Sequence, residues 1–454
     1  MSKKKITRRD FLRLGLLTAG AATLTSCENW LVAMGVQEAR PNFLIIYTDD
    51  QRYDSMAYMP RTKKLIFDEG VSFNHGYITT PLCGPSRCSL FTGMYAHTHG
   101  IRENQDSGFD LTTFAGRLRK SGYYTGLVGK YLNEWRVKDA PSPDFDYWRA
   151  ISRGESRYNN PDIMVDGEWV RHQGDYITDA FGDYCLEFID RASQKPKPFC
   201  LYFAPNAPHE PATPADEDKF LHIDLPPFPP SFNEEDISDK PRWIAEKEPL
   251  FDEQKIHEIN EFRNDQLLTL RSLDRNIERI IQKLDEKDLL DSTVILFLSD
   301  NGKLWGEHRL TSKNSFYEEA ARVPFALRYP PLVPTPYVEE TPVANIDIAP
   351  TLYDLARIPV ADGVDGESLV PLLLTQKSSR EGVLIEGWPG RGHYAAYHCG
   401  DYVYAETKGD KAEFYDLKKD PYQLENAIDE PEYQELIAHL KKALDDVREQ
   451  EGEA

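Results

Sequence analysis

The sequence predicts an α/β protein with a central, mostly parallel sheet flanked by helices, followed by a small antiparallel sheet with one helix. Three observations carry this. Residues 42–47, 198–204 and 293–298 are continuous apolar, β-rich runs, the pattern of strands covered on both faces. Helical spacing of apolar residues lies between them, sustained longest over 253–286. From about residue 379 the pattern changes to short β-like runs and a closing amphipathic stretch.

The N-terminal residues read as a targeting segment. Lys3 to Lys5, Arg8 and Arg9 precede an apolar run over 14–24, too short to span a bilayer, which together resemble a twin-arginine export signal. Leu24-Thr25-Ser26-Cys27 resembles a bacterial lipobox, with Cys27 as the lipidated first residue of the mature chain. The expectation is an exported lipoprotein at the periplasm or cell surface, touching membrane only through its N-terminal lipid, with 27–40 as a tether. Residues 1–26 carry six of the 53 Lys and Arg but one of the 75 Asp and Glu, so the remainder has a formal charge of −27. Such a surface argues against nucleic acid or an anionic membrane as partner. At 454 residues and 40% hydrophobic content, the chain holds one large domain, expected over 41–378, and a smaller one over 379–454.

The first strand run ends in Thr48-Asp49-Asp50. Open α/β sheets place their sites at the carboxyl ends of strands. Adjacent carboxylates there repel unless a cation lies between them, and oxygen-only ligation points to calcium or magnesium. Taken alone, the pair also reads as a solvated acidic turn. Residues 60–69 look helical. Next comes Pro81-Leu82-Cys83-Gly84-Pro85-Ser86-Arg87-Cys88, a turn leading into an apolar run suited to a buried helix. Such a junction presents unpaired N–H groups and the positive end of a helix, and Arg87 adds a fixed planar cation.

A helix over 111–122, ended by glycine, precedes a strand over 124–129 that leads to Lys130. Residues 136–175, rich in Pro, Asp, Arg and Trp, read as loops at a site mouth, and 175–192 as a helix. The second strand run leads to Pro208-His209-Glu210-Pro211, where His209 is placed for proton transfer. The acidic, proline-rich 212–250 reads as a cleft wall. The third run ends in Ser299-Asp300-Asn301-Gly302, oxygen ligands again at a strand tip. Gly306-Glu307-His308-Arg309 and Lys313 follow, then Tyr317-Glu318-Glu319, and a helix starting near 345 with Pro350 tolerated in its first turn. Beyond 379 come β-like runs over 382–386, 393–399 and 401–406 and a helix over 431–447. Cys88, Cys185, Cys200 and Cys399 show no zinc spacing, and both free thiols and one disulfide remain open.

Cys83, Pro85, Ser86, Arg87, Thr92 and Gly93 match the signature Cys-x-Pro-Ser-Arg-x-x-x-x-Thr-Gly, and over 40 to about 445 the chain resembles the type I sulfatase family. The resemblance implies an alkaline-phosphatase/sulfatase-like fold. It implies that a separate maturation enzyme oxidises Cys83 to formylglycine (3-oxoalanine), whose hydrate attacks sulfur and later expels sulfate by collapsing to the aldehyde. It further implies one calcium ion on Asp49, Asp50, Asp300 and Asn301, with Arg87, Lys130 and Lys313 stabilising charge on the transferring group. His209 would protonate the leaving oxygen, and His308 would face the substrate rim.

Many sulfatases have Gly-Lys-x-His where this chain has Gly129-Lys130-Tyr131-Leu132-Asn133. The assisting histidine is replaced by Leu132, with Asn133 a candidate polar substitute. This variant resembles N-acetylglucosamine-6-sulfatases and the heparan endosulfatases. A sulfated carbohydrate substrate is expected, with a 6-O-sulfated amino sugar favoured. Algal ulvan or galactan sulfate, and a phosphodiester or phosphonate monoester, are the alternatives.

Overall fold

The computed structural model describes residues 40–106, 111–133, 135, 141–152, 157–246, 249–378, 380–389 and 392–450. The export segment, Cys27 and the tether up to residue 39 lie outside the described residues.

Sixteen strands are described: β1 (Asn42–Thr48), β2 (Val71–Phe73), β3 (Gly76–Tyr77), β4 (Tyr124–Gly129), β5 (Tyr147–Ala150), β6 (Asp162–Val165), β7 (Glu168–Arg171) and β8 (Phe199–Ala204) come first. Then follow β9 (Thr293–Ser299), β10 (Ala326–Arg328), β11 (Tyr337–Glu339), β12 (Val343–Ala344), β13 (Val383–Gly387), β14 (Tyr394–His398), β15 (Tyr402–Thr407) and β16 (Glu413–Asp416). Ten of them form one sheet in the order β11-β2-β10-β9-β1-β8-β4-β5-β6-β7. Its centre, β9-β1-β8-β4-β5, is parallel throughout. Every residue of β1, β4, β8 and β9 is buried, which is why these runs lack the apolar–polar alternation of a half-exposed strand. Thr48 pairs with Ser299 and Gly129 with Ala204, so the carboxyl tips of four neighbouring strands end side by side.

The expected long helix is Glu253–Glu286. Asp252 caps it, accepting from the Lys255 amide at 2.8 Å. Leu267, Leu270, Leu273, Ile277, Ile280 and Leu284 form its buried stripe against the sheet and the helix Ile177–Ala192. Each such side chain contributes about 1.5–3 kcal/mol through burial. The helix starting near 345 is a short 3₁₀ turn, Asn345–Asp347, continued by Ile348–Ala356 with Pro350 at its third position.

The loop reading of 136–175 is corrected: β5, β6 and β7 extend the sheet by three strands. β5 is only four residues long, and the Arg149 it buries lies over the Tyr147 ring at 3.9 Å and pairs with Asp166 at 2.7 Å. So short a segment with a buried charge displays no apolar period. Among the described residues, 212–250 holds one regular element, the helical turn Arg242–Ala245.

Strands β13 to β16 form a separate antiparallel sheet in sequence order, covered by the closing helix Gln434–Gln450. Its inner face shares one core with Tyr77, Phe316 and Tyr317. All five cysteines among the described residues are free thiols, four of them buried and Cys399 half-buried. No helix among the described residues is long and apolar enough to cross a membrane.

Candidate active site

Four adjacent strand tips supply the polar groups. β1 leads directly into Asp49 and Asp50, β4 into Lys130 and β9 into Asp300 and Asn301, and the segment after β8 carries His209. Consecutive residues of an extended strand point to opposite faces. Asp50 escapes that alternation by adopting the left-handed conformation (φ 63°), so both carboxylates serve one cavity. Gly129, at φ 113°, is required before Lys130, since a Cβ there would lie 1.9 Å from the Ala204 carbonyl oxygen.

Cys83 is the first residue of the helix Cys83–Thr92, with Pro85 in the first turn where no amide is needed. The Gly84 amide donates to Asn104 Oδ1 at 2.8 Å, which pins the turn. Cys83 Sγ lies 3.5 Å from Asp49 Oδ1 and 4.0 Å from Asp50 Oδ1. Lys313 Nζ donates to Sγ at 2.8 Å and also to Asp50 Oδ1. Lys130 Nζ donates to Asp49 Oδ2 at 2.7 Å. Arg87, fully buried, directs Nε and Nη2 onto Asp300 Oδ2 at 3.0 and 2.8 Å and Nη1 onto the Lys130 carbonyl and Tyr202 Oη. His209 Nε2 is 3.9 Å from Asp50 Oδ2, while its Nδ1 donates to the Glu210 carbonyl at 2.9 Å.

The ligand atoms of Asp49, Asp50, Cys83 and His209 all lie within 4.8 Å of one another. Asp300 and Asn301 border this group: Asp300 Oδ1 accepts the Asp50 amide at 3.1 Å, and Asn301 Nδ2 donates to Asp50 Oδ1 at 2.7 Å. Asp50 Oδ2 and Asn301 Oδ1 are buried without a hydrogen-bond partner. Orphaned buried oxygens beside paired carboxylates suit a hard divalent cation.

Three carboxylates and three cations this close set one another's protonation. Burial opposes ionisation of Asp49, yet Lys130, His209, Arg87 and Lys313 hold its carboxyl far below the usual range. Lys313, His209 and Lys303 do the same for Asp50, against burial and against Asp49. Burial and Asp49 push Asp300 upward. Burial works against the charges on Lys130 and Lys313, but Asp49 raises the first and Asp50 the second. Burial and then Asp300 push the Cys83 thiol up to about 12, against the pull of Lys130 and Lys313. An unmodified Cys83 is therefore protonated at neutral pH and a poor nucleophile.

The structure brings together nine of the eleven expected site residues: Asp49, Asp50, Cys83, Arg87, Lys130, His209, Asp300, Asn301 and Lys313. His308 is corrected. It does not face a rim but is fully buried, its Nδ1 2.7 Å from Glu234 Oε2 and its ring 4.2 Å from that of Tyr317. Its left-handed backbone (φ 51°) turns the side chain inward. Asn133 is half-buried with Oδ1 unpartnered, and no hydrogen bond described joins it to the Cys83 cluster. Sequence reasoning missed Asn104, Tyr202, Glu210 and Lys303, which hold or face the site. Glu210, beside His209, and Tyr202, inside the strand run 198–204, lay within segments that the sequence singled out, whereas Asn104 and Lys303 did not.

Two family models match the chain: Sulfatase over residues 41–358, and N-sulphoglucosamine sulphohydrolase, C-terminal, over 306–450. The Drosophila melanogaster extracellular sulfatase SULF-1 homolog is 35% identical over 78% of this chain, which spans only 33% of that protein's length. Human N-acetylglucosamine-6-sulfatase is 32% identical over 80% of this chain and 69% of its own length. The Bacteroides thetaiotaomicron N-acetylglucosamine-6-O-sulfatase is 27% identical over 96% of this chain and 90% of its own. A protein solved in complex with its substrate D-glucosamine-2-N,6-O-disulfate superposes with a TM-score of 0.80 over 91% of this chain and 98% of its own, at 24% identity.

Proposed function

The chain belongs to the sulfatase family of sulfuric ester hydrolases, and on that premise we propose that it removes sulfate from a sulfated glycosaminoglycan or amino sugar, with 6-O-sulfated glucosamine units as the substrate. The observation that carries this is the meeting of Cys83 with Lys313, Asp49 and Asp50 at the end of a parallel sheet. The choice of sugar draws on the N-acetylglucosamine-6-sulfatases among its relatives and on the Gly129 to Asn133 sequence.

Asp49, Asp50, Asp300 and Asn301 would hold calcium, which when bound supplies a fixed divalent charge for polarising a sulfate oxygen. Maturation of Cys83 to formylglycine would replace a thiol that burial keeps protonated with an oxygen nucleophile able to release sulfate. The chain's own cations do the rest. Arg87, Lys130 and Lys313 balance the three carboxylates, so the protein alone is close to neutral here and a divalent ion leaves a surplus that suits departing sulfate. Lys313 and Lys130 orient the sulfate oxygens beside the nucleophile. The Nδ1–H of His209 is committed to the Glu210 carbonyl, which turns Nε2 toward the site as the atom that would carry a proton to the leaving alcohol oxygen. The S–O bond of the ester breaks and one to the oxygen nucleophile forms. Over the full cycle one water and the sulfate ester become the free alcohol, sulfate and one proton released to solvent, with the proton lent by His209 replaced from that water.

The N-terminal segment is read as an export signal and Cys27 as a lipid attachment point, which would tether the enzyme outside the cytoplasm and require a maturation enzyme to act before export. The test is desulfation of N-acetylglucosamine 6-sulfate by the purified, matured enzyme, with Cys83→Ala as control. Turnover in the wild type and none in the variant is expected. Equal turnover in both would refute the assignment.

A further inference from the structure

The segment that carries His209 holds a second charged pair that the reaction does not use. Lys303, three residues beyond Asp300, places Nζ 2.9 Å from Glu210 Oε1. The two are unequally buried: the Lys303 side chain is 8% exposed and that of Glu210 58%. The ammonium is thus withdrawn from water while its acid partner is mostly in it. A carboxylate so hydrated returns little net energy to the pair. Lys303 has three N–H donors, and Glu210 takes one.

The mount beneath that ammonium is firm. The Lys303 carbonyl accepts from Arg52 Nη1 at 2.9 Å, and the neighbouring Gly302 amide donates to the Ala320 carbonyl at 2.8 Å. Its direction is informative too. His209 marks the side of the site where the leaving alcohol lies, and Glu210 is the next residue. Through Glu210 the Lys303 ammonium is joined to the segment that carries His209, the group assigned to the leaving alcohol. It is close enough to the centre to help hold Asp50 ionised.

We propose that Lys303 is a specificity residue that reads a second anion: on binding it releases Glu210 and pairs with a carboxylate or second sulfate that the glycan carries next to the ester being cleaved. This rests on the sulfatase reading of the Cys83 site. A substrate anion seated there brings its own sugar ring over the pair and excludes water, so it is screened less than the exposed Glu210 carboxylate. The ligand class is a polyanionic glycan, preferred over a singly charged one. No bond is made or broken in this exchange of ion partners.

The test compares glucosamine 6-sulfate carrying an N-acetyl group with the same sugar carrying an N-sulfate, one anion against two. kcat and KM are measured for wild type, Lys303→Met and Glu210→Gln, each with its formylglycine content measured by mass spectrometry. Lys303→Met is expected to lower the ratio of kcat/KM on the two-anion sugar to that on the one-anion sugar by about 10- to 100-fold, the range of a charged hydrogen bond, and mainly through KM. Glu210→Gln, which removes the internal competitor, is expected to raise the same ratio several-fold. Equal losses on both sugars, or a displaced pH profile of kcat on both, would mean that the pair only clips the His209 segment in place, and would overturn this inference alone. Wild-type inactivity on both sugars would overturn the functional reading and this inference together.

Discussion

Replacing Lys313 with methionine removes a side chain that hydrogen-bonds both Cys83 and Asp50. Methionine keeps much of the length and apolar bulk, so the change is chiefly one of charge. Cys83 Sγ occupies the place of the attacking oxygen, and Lys313 Nζ lies 2.8 Å from it. At an effective dielectric of about 20, a unit positive charge at that distance attracts a unit negative charge by about 6 kcal/mol. Desolvation of the buried ammonium offsets part of this, and loss of single charge-stabilising donors in other enzymes costs about 2.7–4 kcal/mol, or about 10²–10³ in kcat. We expect that range for Lys313→Met, with a smaller change in KM. The assay is initial-rate hydrolysis of an aryl sulfate at neutral pH, scaled to formylglycine content so that failed maturation is not mistaken for failed catalysis. A fully matured, folded Lys313→Met enzyme within 3-fold of the wild-type kcat would refute the placement of Lys313 at the transferring group.

Arg87→Lys tests the fork. One ammonium cannot serve Asp300, the Lys130 carbonyl and Tyr202 at once, so activity should fall at least about 100-fold and stability by about 3 kcal/mol, read by urea denaturation. Unchanged stability would show that Asp300 has another partner. Removing divalent ions with a chelator should abolish activity and lower Tm by a few degrees, with calcium restoring both, since an ion at 100 times its Kd stabilises the folded state by about 2.7 kcal/mol. Identical melting with and without chelator argues against a metal on Asp49 and Asp50. A fourth prediction concerns pH and lies away from the site. Burial raises Glu413 to about 7, against the Tyr415 and Tyr317 hydroxyls and Lys240, so its favourable contribution is complete below its ordinary value of 4.5 and is lost as pH rises through 7. Glu413→Gln should therefore gain on wild type by up to about 3 kcal/mol between pH 4.5 and 8, measured by urea denaturation at both ends. A gap independent of pH would show that Glu413 titrates normally.

Much of this molecule is legible in its sequence alone. β1, β8 and β9 announce themselves because a strand covered on both faces must be apolar at every position, and Asp49, Asp50, Asp300 and Asn301 stand out by ending such runs. The helix Glu253–Glu286 is equally plain, since thirty-four residues repeat one apolar stripe. Cys83 and Arg87 were readable from a dense local motif, and Lys130 from the strand run over 124–129 that leads to it. β5 to β7 were not, because strands of four residues, one of them with a buried arginine, carry too little periodicity.

The chain by itself therefore determined which residues could do the chemistry, since strand ends and a helix start are local facts written in consecutive positions. Tertiary structure decided which way they face. The left-handed turns at Asp50 and His308 send one side chain into the cavity and the other into the core, and sequence spacing does not encode φ. The pairing of Lys303 with Glu210 joins residues 93 positions apart, and no local pattern marks a contact that exists only because β8 and β9 both flank β1 in the parallel centre of the sheet.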